Sequence, residues 1–519
     1  MQDLKLLDCS LRDGGYINDW KWGFDNARSI IRLLVKAGVD VVEVGFLRNV
    51  EKYDKECSVC NYIEELNHLL PENRGKTMFS AMAMRSNYDI NKLSDYCGCG
   101  IEMIRITAHD YDIQEGLEFA RIIKSKGYKV SINPINIMGY SDEQILHILD
   151  QVNSIQPYQF SIVDTFGSMK RRDLDRIVSL VDNNLSRNIR VALHLHENMS
   201  LSTSLAQQYI DKHLNRPVSV DGSLMGIGRI PGNLPIELIA DYLNDYLDKN
   251  YDIDYMMDAI QDYIAPIKGE TEWGYTPTYF LSARHNLHRN YAEYYLKKGD
   301  LTNRDIDTIL SGFDRKKTTV FDASYADELY QKYKNCSIDD SVAILNLKKI
   351  FEGKKVLILA PGKSLSDYLT EIKQFVASEK PIVISINFIP ETVKIDYAFF
   401  SNSKRYNQTN DNKCNIIATS NIKDIQPKFL IDYNRLVHSF DKGSNSLIML
   451  LSLLKMFKIA NIIIAGADGY KENGQNYYKD TMKSASEHFG DYNLKVALAI
   501  KKVGLKVEYL TPSEYNIKW

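Results

Sequence analysis

From Leu6 to about Ile267, short apolar, β-branched runs alternate with stretches whose apolar positions recur at helical spacing. The runs predict strands at Leu6–Cys9, Val39–Phe46, Thr77–Ala83, Glu102–Thr107, Lys129–Asn133, Gln159–Asp164, Arg190–His194 and Ser219–Leu224. Between them the spacing predicts helices, among them Asp25–Ala37 closed by Gly38, Asp89–Tyr96, and Ile113–Lys126 capped by Gly127. The stretch carrying Cys57 and Cys60 also reads as helical. Eight such strands, each followed by a helical pattern, predict a (β/α)8 barrel. A doubly wound open sheet is the competing arrangement.

The pattern changes after Asp254. Up to about Asp340 the chain is Tyr-rich and helical in spacing, and includes Trp273-Gly274-Tyr275-Thr276-Pro277 and the charged run Asp314–Lys317. It reads as a helical extension packed on the barrel, or else as an interdomain or dimer contact, because buried Tyr and Trp favour interfaces. From Lys354 the β/α alternation restarts, with strands expected at Lys355–Leu359, Pro381–Asn387, Tyr397–Phe400, Asn415–Ala418, Asn461–Ala465 and Lys506–Leu510, and a long helix over about Ser444–Phe457. The expected organisation is a barrel over residues 1–275, a helical extension over 276–350 and a second, Rossmann-like α/β domain over 351–519.

Composition narrows the function classes. At 519 residues the chain exceeds one ordinary core. With 44% hydrophobic and 25% charged residues it is an ordinary globular sequence. A net charge of −3 without a Lys/Arg run argues against nucleic acid as a partner. The longest apolar candidate, Leu447–Phe457, is broken by Ser452 and Lys455, so no membrane span is expected. The N-terminus enters a strand without a signal-peptide pattern, and the expectation is a cytoplasmic protein with reduced cysteines. Cys57/Cys60 and Cys97/Cys99 have spacings that zinc sites use; they are read here as thiols packed near helices.

The candidate chemistry lies at the carboxyl ends of the barrel strands, which converge on one mouth. Taken in order these ends carry Arg12 and Asp13, Glu43, Arg105, Asn133, Asp164 and Thr165, His194 and His196, and Asp221. His194-Leu195-His196 places both imidazoles on one face of its strand. With Asp13 they form a two-His-one-carboxylate set that leaves positions open for a bidentate ligand on a divalent metal. Taken singly, Arg12-Asp13-Gly14-Gly15 also reads as a surface turn with a solvated ion pair, its glycines supplying φ angles that other residues avoid, and His-x-His as a hydrogen-bonding pair. No expected barrel strand ends in lysine, which speaks against a Schiff-base aldolase.

Five segments resemble, in order, the signatures of the DRE-type metal-dependent lyases and synthases: Leu7–Gly15, Val42–Phe46, Val163–Gly167, His194–Asn198 and Gly226–Asn233. That family includes 4-hydroxy-2-oxovalerate aldolase, HMG-CoA lyase and isopropylmalate synthase, and the aldolase branch is the most similar. The resemblance implies carbon–carbon bond making or breaking through the enolate of a 2-oxo acid such as pyruvate. Asp13, His194 and His196 would hold Mn²⁺ or Mg²⁺, with Asn233 a further ligand or a donor to one. Arg12 would stabilise the enolate oxygen, Glu43 would support Arg12 or a metal-bound water, and the glycines of Gly226–Gly232 would allow close backbone approach to substrate. Aldolases of this branch carry a histidine, acting as base, three residues after the metal aspartate. Here that position is Tyr16, a weaker base at neutral pH than imidazole but a competent acid or hydrogen-bond donor.

In the second domain Ala360-Pro361-Gly362-Lys363-Ser364 follows a strand and opens a helix, without the first glycine of a Walker A loop. Gly443-Ser444-Asn445-Ser446 opens another helix, and Gly466-Ala467-Asp468-Gly469 ends a strand. The pattern resembles Rossmann-like domains of some bacterial surface-polysaccharide enzymes and of a pterin pyrophosphokinase-like family. It implies a nucleotide or other phosphorylated ligand near Gly362, Ser364, Gly443 and Asp468; the alternative is that these glycines only serve turns. The first functional reading is a metal-dependent lyase or synthase joining a 2-oxo acid to an aldehyde or sugar-derived acceptor, expected as a homo-oligomer. Its competitors are a nucleotide-dependent transferase seated in the second domain, and a non-catalytic binding protein.

Overall fold

The computed structural model describes residues 3–314, 317–335, 337–409, 414–437, 445–459, 461–471, 476–479 and 491–517. They form two compact units, residues 1–289 with 313–321, and residues 290–312 with 322–519. No helix among the described residues is long and apolar enough to cross a membrane.

The first unit is a parallel barrel of eight strands: β1 (Leu4–Asp8), β2 (Val41–Leu47), β4 (Met78–Ala83), β5 (Met103–Ala108), β6 (Lys129–Pro134), β7 (Gln159–Asp164), β8 (Arg190–Leu195) and β9 (Val218–Gly222). A two-residue strand, β3 (Val59–Cys60), pairs outside β2. The barrel closes where β9 pairs β1, Leu4 opposite Val218 and Asp8 opposite Gly222. Strands covered on both sides must be apolar almost throughout, and β2, β4, β7, β8 and β9 are buried at every position. This is why they read as continuous runs rather than as alternation.

Two local expectations fail. Asp89–Tyr96 is not a helix but a single 3-10 turn, Ile90–Lys92. Asp89 caps Asn91, Leu93 is already extended, and the Tyr96 amide donates to the Lys126 carbonyl, so its backbone donor is spent between segments. The stretch before Thr77 supplies β3 and only a five-residue helix, Ile63–Asn67. Gly45 lets β3 approach: a Cβ there would stand 2.2 Å from the Ser58 carbonyl oxygen. Cys60 is buried beside that short helix, whereas Cys97 and Cys99 lie exposed in a loop and pack no helix.

The second unit holds a seven-stranded sheet, all parallel: β10 (Lys355–Leu359), β11 (Ile382–Ile386), β12 (Tyr397–Phe400), β13 (Asn415–Thr419), β14 (Phe429–Ile431), β15 (Asn461–Ala465) and β16 (Val507–Tyr509). The order is β14-β13-β12-β11-β10-β15-β16. Side chains alternate between two cores. Val356 and Ile358 pack with helices Ser341–Phe351, Ser446–Lys455 and Asp491–Val503, and Leu357 and Leu359 with Leu365 and Ile372 on the other face. The three-residue strand β14 was not legible as a strand. The stretch expected as one extension on the barrel is divided: residues 313–321 belong to the first unit, while 290–312 and 322–350 belong to the second, where Leu347 and Phe351 enter the sheet core.

Candidate active site

β1 ends in two short helical turns, Ser10–Asp13 and Gly15–Asn18. Asp8 holds the first turn by accepting from the amide and hydroxyl of Ser10. The turn is no solvated surface pair: Arg12 is 5% exposed and Asp13 3%. Nor are Gly14 and Gly15 there for unusual φ angles. Gly14 has φ −60°, and a Cβ on either would strike the Ser10 carbonyl or the Trp20 ring. Their absent side chains admit Trp20 and Trp22, whose indole N–H groups donate to the Arg12 and Leu11 carbonyls.

A chain of alternating charges crosses the barrel from there. Arg12 donates to Asp13 Oδ1 (2.5 Å) and, through Nε, to Glu43 Oε2 (2.7 Å). Arg105 donates to the same Glu43 oxygen at 3.0 Å and to Asp221. Asp221 Oδ2 lies 3.5 Å from His194 Nδ1. Three carboxylates against two guanidiniums leave one negative charge in a buried site, a disposition suited to a cation. Asp13, His194 and His196 each bring a ligand atom within 4.8 Å of the others. Among the described residues no other group of three or more His, Cys, Asp or Glu side chains is so placed, the Cys57/Cys60 and Cys97/Cys99 pairs included.

The protonation states match metal binding. Burial pushes the Asp13 carboxyl up, but Arg12, the two histidines and Asn233 outweigh it and hold it at about 2. Burial and neighbouring His194 bring His196 down to about 4, so its imidazole is neutral at pH 7. The Asp164 carbonyl lies 3.0 Å from His196 Nδ1, which places the proton there and turns Nε2 towards Asp13.

The glycine-rich loop is stitched to the end of β8: Asn233 bridges His196, and the Leu234 amide donates to the Leu195 carbonyl. Asn233 Nδ2 thereby reaches Asp13 Oδ2 at 2.5 Å, while its buried Oδ1 has no hydrogen-bond partner among the described residues. Gly228 closes the cradle, since a Cβ would stand 2.2 Å from Asn233 Nδ2 and 2.8 Å from Asp13 Oδ2. An ionised carboxylate, the neutral His196 imidazole beside the ring of His194, an orphaned amide oxygen and a side-chain-free wall fit a divalent ion of mixed oxygen and nitrogen ligation.

The family profile described as HMGL-like matches residues 3–262, half of the chain. The chain belongs to the HMGL-like family. Its members are metal-dependent aldolases and lyases that act on 2-oxo acids. The HMGL-like region is 24% identical over 242 residues to a 4-hydroxy-2-oxovalerate aldolase of Geobacillus genomosp. 3, covering 45% of this chain and 68% of that protein. It is 22% identical to an oxaloacetate decarboxylase of Mycobacterium tuberculosis, covering 44% of this chain and 66% of that protein. Among solved structures it is similar to the N-terminal domain of a candidate aldolase from Bacteroides vulgatus, with 25% identity and a TM-score of 0.50, covering 56% of this chain and 96% of that one.

Above the Asp13–His194–His196 cluster the HMGL-like barrel opens into a cavity of about 560 Å3, whose lining includes Arg12, Asp13, His194 and His196. Tyr16 stands at its rim, 41% exposed, against Trp20 and beneath the Arg229 guanidinium. Glu43 is fully buried and touches both arginines. Among the residues of this wall that the sequence analysis did not single out are His109, Arg229 and His288. His109 directly follows β5 and Arg229 lies within the quoted glycine-rich signature, so both had a signal. His288 had none, because the fold alone brings it over the mouth, where its Nε2 accepts from Arg229 at 2.6 Å. Burial, then Arg229, depress His288 to about 3, and burial also lowers His109; both imidazoles are neutral at pH 7.

In the second unit, Gly362, Ser364 and Asp468 do meet, at the carboxyl ends of β10 and β15. Asp468 accepts from the Ser364 amide (2.7 Å) and hydroxyl, so a carboxylate of the chain already fills the helix start where a phosphate was expected. Gly362 is required by packing, as a Cβ would stand 2.3 Å from the Gly466 carbonyl oxygen. Gly443 lies outside the described residues.

Proposed function

We propose that the barrel is a divalent-metal-dependent lyase or synthase that makes or breaks a carbon–carbon bond beside a 2-oxo group, through the enolate of pyruvate or a close analogue. The observation that carries this reading is the convergence of Arg12 with the Asp13–His194–His196 set at the barrel mouth. Aldol cleavage and decarboxylation, the reactions named for the two curated relatives, both release pyruvate as its enolate, so one site chemistry serves either. Asp13, His194 and His196, with Asn233 within reach, would hold Mn²⁺ or Mg²⁺. When bound, the ion supplies Lewis-acid polarisation of a keto oxygen and carboxylate.

The protein's own groups do the rest. Arg12 is fixed through Nε and Nη1, and its Nη2 has no protein partner among the described residues. That nitrogen is offered to the developing enolate oxygen. Glu43 holds the guanidinium in plane and so acts as a positioning residue. Tyr16 donates a hydrogen bond to the acceptor at the rim, and the neutral imidazole of His109 is placed to take its hydroxyl proton, whereas the acceptor nitrogen of His288 is engaged by Arg229. An aldehyde or sugar-derived acceptor fits the open side of the cavity. The test needs no knowledge of that acceptor. The Mn²⁺-loaded protein should exchange the methyl protons of pyruvate with D2O, seen by NMR, and chelation should stop it. A folded, metal-replete protein that leaves the methyl signal intact refutes pyruvate as the donor.

A further inference from the structure

The loop that leads into β5 holds two cysteines that the barrel's chemistry leaves unused. Cys97 and Cys99 are both exposed free thiols. Their loop is pinned at each end. Before it, the Tyr96 amide donates to the Lys126 carbonyl at 2.8 Å. After it, the Ile101 amide donates to Asn67 Oδ1 at 3.1 Å, and Arg74 Nη1 donates to the Gly100 carbonyl at 3.3 Å. Gly100 has φ +77°, and a Cβ there would stand 2.5 Å from Asn67 Oδ1, so the loop lies tight against that side chain. Between these anchors Gly98, at φ +85°, turns the chain back. A Cβ on Gly98 would meet nothing within 4 Å, so this glycine serves the turn and not packing.

The turn brings the two sulfurs to 2.9 Å. That is within about 1 Å of a disulfide bond, so joining them asks little movement of the backbone. The two thiols are also unlike. Their mutual hydrogen bond lowers Cys97 below the ordinary thiol range and raises Cys99. One sulfur is thus the readier thiolate, and the other stands beside it. Other cysteines of the barrel lack this. Burial raises Cys9 and Cys60, and burial with Asp54 raises Cys57. A metal is not what the pair calls for, because among the described residues no third His, Cys, Asp or Glu completes a ligand set with it.

We propose that Cys97-Gly98-Cys99 is a reversible dithiol–disulfide site, oxidised by a small-molecule disulfide of the glutathione class. The Cys97 thiolate attacks one sulfur of that disulfide, whose S–S bond breaks, and one small thiol leaves with a proton from solvent. Cys99 then gives its proton to solvent, and its sulfur attacks Cys97 Sγ and expels the second small thiol, which is protonated in turn. In sum the two cysteines lose two hydrogens with their electrons, and the small disulfide gains them. The pair precedes β5, at the end of the barrel opposite the mouth, and the inference is independent of the proposed reaction.

Trypsin releases both cysteines on one peptide, Leu93–Arg105, which holds no other cysteine. The full-length native protein is treated with oxidised glutathione, quenched with acid, denatured, labelled with N-ethylmaleimide and mapped by mass spectrometry. Leu93–Arg105 should escape the label and weigh two hydrogens less, while Cys9 and Cys60 are labelled. Dithiothreitol should return Cys97 and Cys99 to full labelling. Cys99→Ser, lacking the second sulfur, should retain glutathione on Cys97. Cys97→Ser should take up glutathione about tenfold or more slowly than Cys99→Ser, since the remaining thiol is the weaker thiolate. Unchanged far-UV circular dichroism verifies folding of each variant. The proposal is overturned if Leu93–Arg105 of the wild-type protein stays fully labelled, if it keeps glutathione or bonds to another cysteine or chain, or if the two variants react equally fast.

Discussion

Gly228→Ala adds one methyl group to the metal cradle and tests its geometry directly. The backbone there is not in the left-handed region, so alanine costs the loop no strain of its own. The added carbon would fall 2.2 Å from Asn233 Nδ2 and 2.8 Å from Asp13 Oδ2, far inside contact distance. Neither neighbour can retreat without losing bonds, because Asn233 is 1% exposed and Asp13 3%. The amide must swing out and give up its bonds to Asp13 (2.5 Å) and to the Ile227 carbonyl (3.1 Å). Overpacking of this kind costs about 1–3 kcal/mol of stability. Displacing a group that orients a ligand should weaken metal binding by roughly 10–100-fold. Mn²⁺ titration followed by tryptophan fluorescence reads this, since Trp20 and Trp22 are hydrogen-bonded to the turn that carries Arg12 and Asp13. His194→Ala/His196→Ala sets the baseline of lost binding. Gly269→Ala, where a Cβ meets nothing within 4 Å, is the neutral control. Retention of Mn²⁺ affinity by Gly228→Ala at the level of Gly269→Ala would remove Asp13 and Asn233 from the metal site.

Two more substitutions separate the roles within the charge chain. Arg12→Lys should keep metal and fold but lower pyruvate exchange roughly 100-fold or more, because one ammonium nitrogen lacks the planar fork whose separate nitrogens reach Glu43, Asp13 and the enolate oxygen; near-normal exchange would exclude Arg12 from the chemistry. Arg105→Met should cost about 3–5 kcal/mol in urea unfolding followed by tryptophan fluorescence, as it strands Asp221 buried without its guanidinium and leaves Glu43 with Arg12 alone. A loss under about 1 kcal/mol would show that the two carboxylates find other partners.

The barrel was legible because burial on both faces forces continuous apolar strands, and covering helices impose a second period between them; Gln159–Asp164 has the expected bounds to the residue. The convergence of Asp13, His194 and His196 was legible for the same reason, since strand ends in a closed barrel meet whatever lies between them. Asp89–Tyr96 was not, because its helical spacing lost to a backbone bond with Lys126, made only once the chain has folded. Tertiary structure also decided what each residue is for. Gly14 and Gly15 read as turn formers and serve two tryptophan rings. Asp468 and Ser364 read as ligand contacts and satisfy each other. His288 carries no local pattern and reaches the mouth through the chain beyond the barrel. Periodicity records which face of a strand or helix is buried, a property of neighbours in sequence. Which atoms meet across a site depends on closure of the barrel, and no local pattern encodes that.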